Sequence, residues 1–101
     1  MEYLMMLILG VFICVLGITN IKGNISTIHS YNRRKVKEED VPKYGKAVGT
    51  GTVIIGASMI VSYFVATFWS EVAMGVIILA SCIVGLAFIL YAQFKYNKGI
   101  F

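Results

Sequence analysis

The sequence predicts an all-α membrane protein that forms a single integral membrane domain over residues 1–101, with three transmembrane helices. Composition is the first indication. Hydrophobic residues make up 58% of the chain and charged residues 14%, and the mean hydropathy is +0.82. Soluble domains contain about 45–50% hydrophobic residues and about 25% charged residues. The other indications are three long runs without charge and a strongly uneven distribution of the cationic residues. A single proline and the lack of low-complexity tracts exclude a disordered linker.

The three uncharged runs cover residues 3–21, 47–69 and 72–94. At about 1.5 Å per residue they would be roughly 28, 34 and 34 Å long, close to or above the thickness of a hydrocarbon core of about 30 Å. The runs are continuous, whereas the strands of a membrane barrel alternate polar and apolar residues, so helices are favoured. We therefore expect helices at about 3–21, 38–69 (with 47–69 in the membrane) and 72–94.

The first run predicts a retained helix and not a secretory signal. It follows an acidic start, Met1-Glu2, and no small-x-small cleavage site comes after it. The residues beyond it are typical of a helix end, with Gly23 suited to the left-handed position after the last turn. Lys22 would face the negative end of the helix dipole.

The two later helices are predicted to be joined by a tight hairpin. The acidic residues 38–40 and Pro42 are typical of a first helical turn, so we expect the second helix to begin near Lys37 and to run unbroken into the membrane. Only Ser70 and Glu71 separate the second run from the third, which requires antiparallel helices. Ser70 is suited to capping the third helix.

The distribution of charge predicts the orientation. Residues 22–46, between the first two runs, carry seven cationic and three acidic side chains, and the tail beyond Phe94 carries two more cations. Glu2 and Glu71 lie on the other side if the chain crosses three times. Cytoplasmic segments carry the excess of Lys and Arg, so this rule predicts a multi-pass plasma-membrane protein with its N-terminus outside and its C-terminus cytoplasmic. The first connecting segment is then a basic cytoplasmic loop.

Small residues recur along each predicted helix, where they let backbones approach closely. The helix-packing positions that we predict are Gly10, Gly17, Gly49, Gly56 and Gly85. Gly75 and Cys82 lie on the same stripe as Gly85. Such stripes can also form a dimer face or a conduit, so a homo-oligomer is an alternative. We favour packing within one chain, as a three-helix bundle.

The sequence favours neither catalysis nor cofactor binding. The predicted spans contain no carboxylate, His, Lys or Arg, and no catalytic constellation or phosphate-binding loop is present. Two cysteines and one histidine are too few for a structural zinc site. Cys14 and Cys82 are better explained as small packing residues than as a disulfide. We expect a protein that is not an enzyme, with no cofactor, no metal and no nucleic-acid partner.

The block Asn32–Lys37 is the densest group of charges in the chain. Its simplest explanation is the determination of topology together with contacts to anionic lipids. The alternative is recognition of a protein or peptide partner.

Several residues of this region resemble the SdpI-like group of small bacterial membrane proteins. They are the block Tyr31–Arg34, the residues 37–40, the aromatic Tyr44, and Gly49 and Gly56 in the next helix. The whole chain is similar to a related family of uncharacterised proteins of roughly one hundred residues and three helices from Gram-positive bacteria. The sequence departs from the SdpI-like pattern because no glycine precedes Tyr31 and because Tyr44 stands where that group has Trp.

The resemblance implies immunity against a toxic secreted peptide, sometimes with sequestration of a repressor. The candidate interaction residues are then Tyr31, Asn32, Arg33, Arg34, Glu38, Glu39 and Tyr44. We expect a small bacterial integral membrane protein, with toxin immunity or sensing of a peptide signal through the cytoplasmic loop as the specific hypothesis. The alternatives are a phage-type holin, although holins usually have a longer charged tail, and an accessory subunit of a larger membrane complex.

Overall fold

The computed structural model describes residues 3–23 and 36–98. Its helices are α1 (Leu4–Ile21), α2 (Val41–Phe68) and α3 (Glu71–Tyr96), and a 3-10 turn (Glu38–Asp40) directly precedes α2. All three helices are long and apolar enough to cross a membrane, with mean hydropathies of 2.5, 1.8 and 2.7 over their best windows. The expectation of three such helices is confirmed.

The helix ends follow local sequence signals. Gly23, after the end of α1, has a φ of +99°, the left-handed conformation expected for that position. Ser70 caps α3, because its Oγ accepts hydrogen bonds from the backbone N–H groups of Val72 and Ala73 at 3.1 and 3.3 Å. Glu71 lies in the first turn of α3, where its negative charge interacts favourably with the positive end of the helix dipole.

The start of α2 differs from the prediction of an unbroken helix from residue 37. Residues 38–40 form a 3-10 turn, closed by hydrogen bonds from Asp40 N–H to the Lys37 carbonyl and from Val41 N–H to the Glu38 carbonyl. Pro42 is the physical reason, because it has no N–H with which to make the α-helical bond to that Glu38 carbonyl. The helix is regular from Val41 onward.

The helices lie in a row with α2 in the middle. α2 is antiparallel to both neighbours, and among the described residues α1 and α3 make at most marginal contact with each other. The three helices pack within one chain, and their arrangement is an open row. Lipid tails are as apolar as leucine side chains, so no hydrophobic force requires α1 and α3 to close on each other in a membrane.

Glycines lie where α1 crosses α2. A Cβ atom added to Gly10 would be 2.8 Å from the Gly56 carbonyl oxygen, and one added to Gly17 would be 2.9 Å from the Gly49 carbonyl oxygen. Real Cβ atoms essentially never approach another atom within 3.0 Å. The backbones of α1 and α2 are thus close enough that only glycine fits at these four positions.

A second close approach joins α2 to α3. A Cβ on Gly85 would be 2.8 Å from the Gly51 carbonyl oxygen. Gly49 and Gly51 are two residues apart and so project to nearly opposite sides of α2, one toward each neighbour. Gly75 has no atom within 4 Å of its added Cβ. Of the predicted small-residue stripe of α3, Gly85 therefore packs closely against α2 and Gly75 does not pack against the described residues.

Candidate functional site

The charged side chains gather at one end of the row of helices. We call this the loop end: it comprises the last turn of α1 with residues 22–23, residues 36–40, the start of α2, and the last turn of α3 with residues 97–98. Its described charged residues are Lys22, Lys37, Glu38, Glu39, Asp40, Lys43, Lys46, Lys95 and Lys98. At the opposite end, which we call the hairpin end, Glu71 is the only charged residue in the described part of the chain.

A buried polar pair lies beneath the loop end. The Tyr44 hydroxyl of α2 donates a hydrogen bond to Oε1 of Gln93 on α3, and the two residues are 0% and 6% exposed. Asn20 and Asn97, near the ends of α1 and α3, are buried at this end as well. Buried hydroxyl and amide groups require hydrogen-bond partners, so the pair fixes the relative position of α2 and α3 here.

Tyr44 is therefore inside the molecule, although the sequence pattern predicts it as an interaction residue. Its ring packs with Val48 and Ala92, and Val36 and Val41 cover this small core. In this arrangement Tyr44 anchors the segment that leads into α2 and cannot touch a partner through its ring. It holds the 3-10 turn against the helices.

Glu38 and Glu39 remain on the surface. Both are exposed, and they stand side by side on the 3-10 turn that the buried Tyr44 core supports. Two adjacent exposed carboxylates can accept hydrogen bonds from a cationic partner. The other four candidate interaction residues, Tyr31, Asn32, Arg33 and Arg34, lie outside the described residues.

A groove of about 540 Å³ runs between α2 and α3 near the loop end. On α2 it is lined by Lys43, Lys46, Ala47 and Thr50, and on α3 by Ala87, Phe88, Tyr91 and Tyr96. The lining is mostly apolar, and the two lysines are its charged members. Its size lies within the range of about 300–1,000 Å³ that is usual for ligand pockets.

The α3 side of this groove has a further cation. Lys95 Nζ donates a hydrogen bond to the Tyr91 hydroxyl at 2.8 Å, and it lies 5.2 Å from the ring centroid of Tyr91 and 5.6 Å from that of Tyr96. Cation–π attraction operates at such distances. The ammonium group is therefore held beside the aromatic wall of the groove.

Metal binding has no support in residues 3–23 and 36–98, where no three His, Cys, Asp or Glu side chains lie together. Cys14 and Cys82 are free thiols, and Cys14 Sγ lies 3.9 Å from the Val53 carbonyl oxygen across the α1–α2 interface. The sequence pattern does not predict Gln93 as a site residue. The signal was a lone amide near the end of an otherwise apolar run.

No family model, curated protein or solved structure matches this chain. The resemblance to the SdpI-like group stays a prediction.

Proposed function

We propose that this chain is a small multi-pass protein of a bacterial plasma membrane that acts by binding a protein or peptide at its loop end, and not by catalysis. Toxin immunity or sensing of a peptide signal is the specific role. In this proposal the N-terminus is outside, the loop end and the C-terminus are cytoplasmic, and the segment between α1 and α2 takes part in recognition.

The observation that carries the proposal is the asymmetry between the two ends. All described charged residues except Glu71 lie at the loop end. Buried contacts hold the acidic 3-10 turn in place there, because the Tyr44 core underlies it. An excess of Lys and Arg is typical of the cytoplasmic side, and the exposed carboxylates of the turn, next in sequence to a basic segment, offer both signs of charge to a partner.

The uncharged interiors of the helices support binding over transport. Transporters of protons or ions usually keep ionisable side chains inside the bilayer, and within the spans the described polar groups are hydroxyls and amides. A protein without ionisable side chains in its spans can still bind partners at its surface, and its charged side chains are concentrated at the loop end.

Orientation is tested by cysteine labelling in a background in which Cys14 and Cys82 are changed to Ala. We expect Glu71→Cys to react in intact cells with a maleimide that cannot cross membranes. We expect Arg34→Cys to react only after the membrane is permeabilised. Labelling of position 34 in intact cells would refute the proposed orientation.

Inducible expression in a bacterial host separates the candidate roles. An immunity protein leaves growth unchanged and protects the host against culture supernatant from the source bacterium. A holin would stop growth abruptly at a defined time after induction, and an accessory subunit would change neither growth nor survival. Growth arrest, or survival equal to that of the empty vector, would refute immunity.

The role of the basic block in recognition is tested by two double substitutions that keep the net charge. Arg33→Lys with Arg34→Lys keeps the net charge but removes the planar guanidinium, which binds carboxylates with two parallel hydrogen bonds. We expect loss of protection at unchanged membrane level. The control is Lys35→Arg with Lys37→Arg, which also keeps charge and should protect like the parent. Equal survival of both double variants would assign this block to topology alone.

The acidic turn is tested separately. Glu38→Gln with Glu39→Gln removes the two exposed carboxylates of the 3-10 turn, and we expect weaker protection because a cationic group of the partner loses its acceptors. Glu71→Gln, which removes the acid of the hairpin end, is the control and should have no effect. If both variants protect fully, the turn takes no part in recognition.

A further inference from the structure

The groove between α2 and α3 combines an apolar floor with cations at one end. Ala47 and Thr50 on α2 face Ala87 and Phe88 on α3, and they lie farther from the loop end than Lys43. The Thr50 hydroxyl donates to the Lys46 carbonyl oxygen at 2.6 Å, so it is satisfied by its own helix. The inner part of the groove therefore offers little for a polar ligand to bond.

The outer part has the opposite character. Lys43 and Lys46 are exposed on the α2 side, and Lys95 is held on the α3 side by Tyr91 and Tyr96. An ammonium group has three N–H donors, and Lys95 uses one of them on Tyr91. The rim therefore holds three cations, and Asp40 is the acid that interacts electrostatically with Lys95.

We propose that this groove binds one anionic phospholipid of the surrounding membrane. An acyl chain lies along the apolar floor, and the phosphate of the headgroup is bound by Lys43, Lys46 and Lys95. The groove lies between two helices that are long and apolar enough to cross a membrane, so a lipid of the surrounding bilayer is the ligand nearest to hand.

The chemistry of the rim specifies an anionic lipid. Basic pockets between transmembrane helices recognise acidic headgroups, and lysines near the membrane surface extend their ammonium groups to the level of the phosphates. Tyr91 and Tyr96 suit the same level, where aromatic residues of membrane proteins concentrate. The site is distinct from the basic block Asn32–Lys37 and does not depend on which side of the membrane the loop end faces.

The test is the thermal stability of the purified full chain in a mild uncharged detergent, with native mass spectrometry to count bound lipid. Phosphatidylglycerol and phosphatidylcholine with identical acyl chains are compared, because both carry a phosphate but only phosphatidylglycerol has a net negative charge. We expect phosphatidylglycerol to raise the melting temperature clearly more, with one molecule bound. Glycerol phosphate at the same concentration should have no effect, because it lacks the acyl chain.

Two charge variants locate the headgroup site. Lys43→Gln with Lys46→Gln should lower the affinity for phosphatidylglycerol by about tenfold or more, since each lysine near a lipid surface contributes severalfold. Lys22→Gln with Lys37→Gln removes the same charge at the loop end but outside the groove, and it should bind like the parent. Equal affinities for the two double variants would overturn the proposal, and so would equal effects of the two lipids on the parent.

Two substitutions that add bulk test the groove without changing charge. They also provide a test if a charge variant fails to fold. Ala87→Phe fills the groove from an exposed position of α3. Ala80→Phe is the control, because Ala80 is also exposed and lies seven residues earlier on the same face of α3. We expect only Ala87→Phe to lose the bound lipid. If the Ala87→Phe variant still binds lipid, the lipid lies elsewhere and the groove is not its site. If this variant changes its oligomeric state and keeps its lipid, the groove is a contact between copies of the chain.

Discussion

Gly49→Ala is the smallest change that tests the close approach of α1 and α2. The added Cβ would lie 2.8 Å from the backbone N of Ile21 and closer still to the Gly17 carbonyl oxygen, whereas ordinary contact begins at 3.4 Å. Both of these are backbone atoms and cannot rotate away; the third atom within reach is Cγ1 of the Ile21 side chain, at 2.7 Å. The contact with the Gly17 carbonyl oxygen sets the displacement, so the two helices would have to separate by about 1 Å.

The cost follows from this separation. A gap of about 0.5–1 Å forfeits roughly a quarter to a half of each dispersion contact, and overpacking a filled interior costs about 1–3 kcal/mol. The change also returns up to about 1 kcal/mol, because alanine loses less backbone entropy than glycine on forming a helix. We expect a net loss of about 1–2 kcal/mol in the free energy of unfolding.

Gly75→Ala is the matched control, since nothing lies within 4 Å of the added Cβ at that position. It should be neutral or stabilising by up to about 1 kcal/mol, because alanine has a higher helix propensity than glycine. The assay is reversible unfolding of both variants in mixed micelles, by titration with a denaturing detergent and circular dichroism. If both variants unfold at the same detergent fraction, the close packing of α1 on α2 is refuted.

Three further changes have opposite or graded effects, each measured by the same unfolding assay. Ser70→Ala should cost about 1 kcal/mol, because the Ser70 Oγ accepts two hydrogen bonds at the start of α3. Ser62→Ala should stabilise by about 1 kcal/mol, since the buried Ser62 hydroxyl has no partner among the described residues; a loss would show that the hydroxyl is bonded. Tyr44→Phe should cost about 1–3 kcal/mol by removing the buried hydrogen bond from the Tyr44 hydroxyl to the Gln93 amide oxygen; a cost no larger than that of Tyr63→Phe would refute this.

The predicted elements that the structure confirms depend on neighbours in the sequence. An uncharged run long enough to cross a membrane indicates a helix, whatever that helix packs against. Gly23 and Ser70 have their roles because of the chain within three residues of them. Such features could be predicted before any contact was known.

The features that sequence could not supply depend on which helix faces meet. Gly51 and Gly75 are similar in sequence context, yet Gly51 packs closely against α3 and Gly75 against no described atom. The position of α2 between its neighbours decides this difference. Sequence spacing shows the stripes but does not show which of them are in contact.

Tyr44 illustrates the same limit at the candidate site. An aromatic residue near the end of a span suits the membrane surface and also suits a buried position with a partner for its hydroxyl. The partner is Gln93, 49 residues farther along the chain. The burial of Tyr44 follows from the antiparallel pairing of α2 and α3, which no local pattern encodes.

The central position of α2 has a consequence for how the molecule assembles. α2 and α3 are joined by two residues, so their encounter costs little loop-closure entropy, whereas α1 is separated from the start of α2 by a much longer segment. Each outer helix contacts α2 and hardly contacts the other, so neither needs the other in place. We therefore expect α2 and α3 to form a pair first and α1 to dock onto it as a separate, later step. A chain cut in two within that longer segment should then reassemble from its pieces.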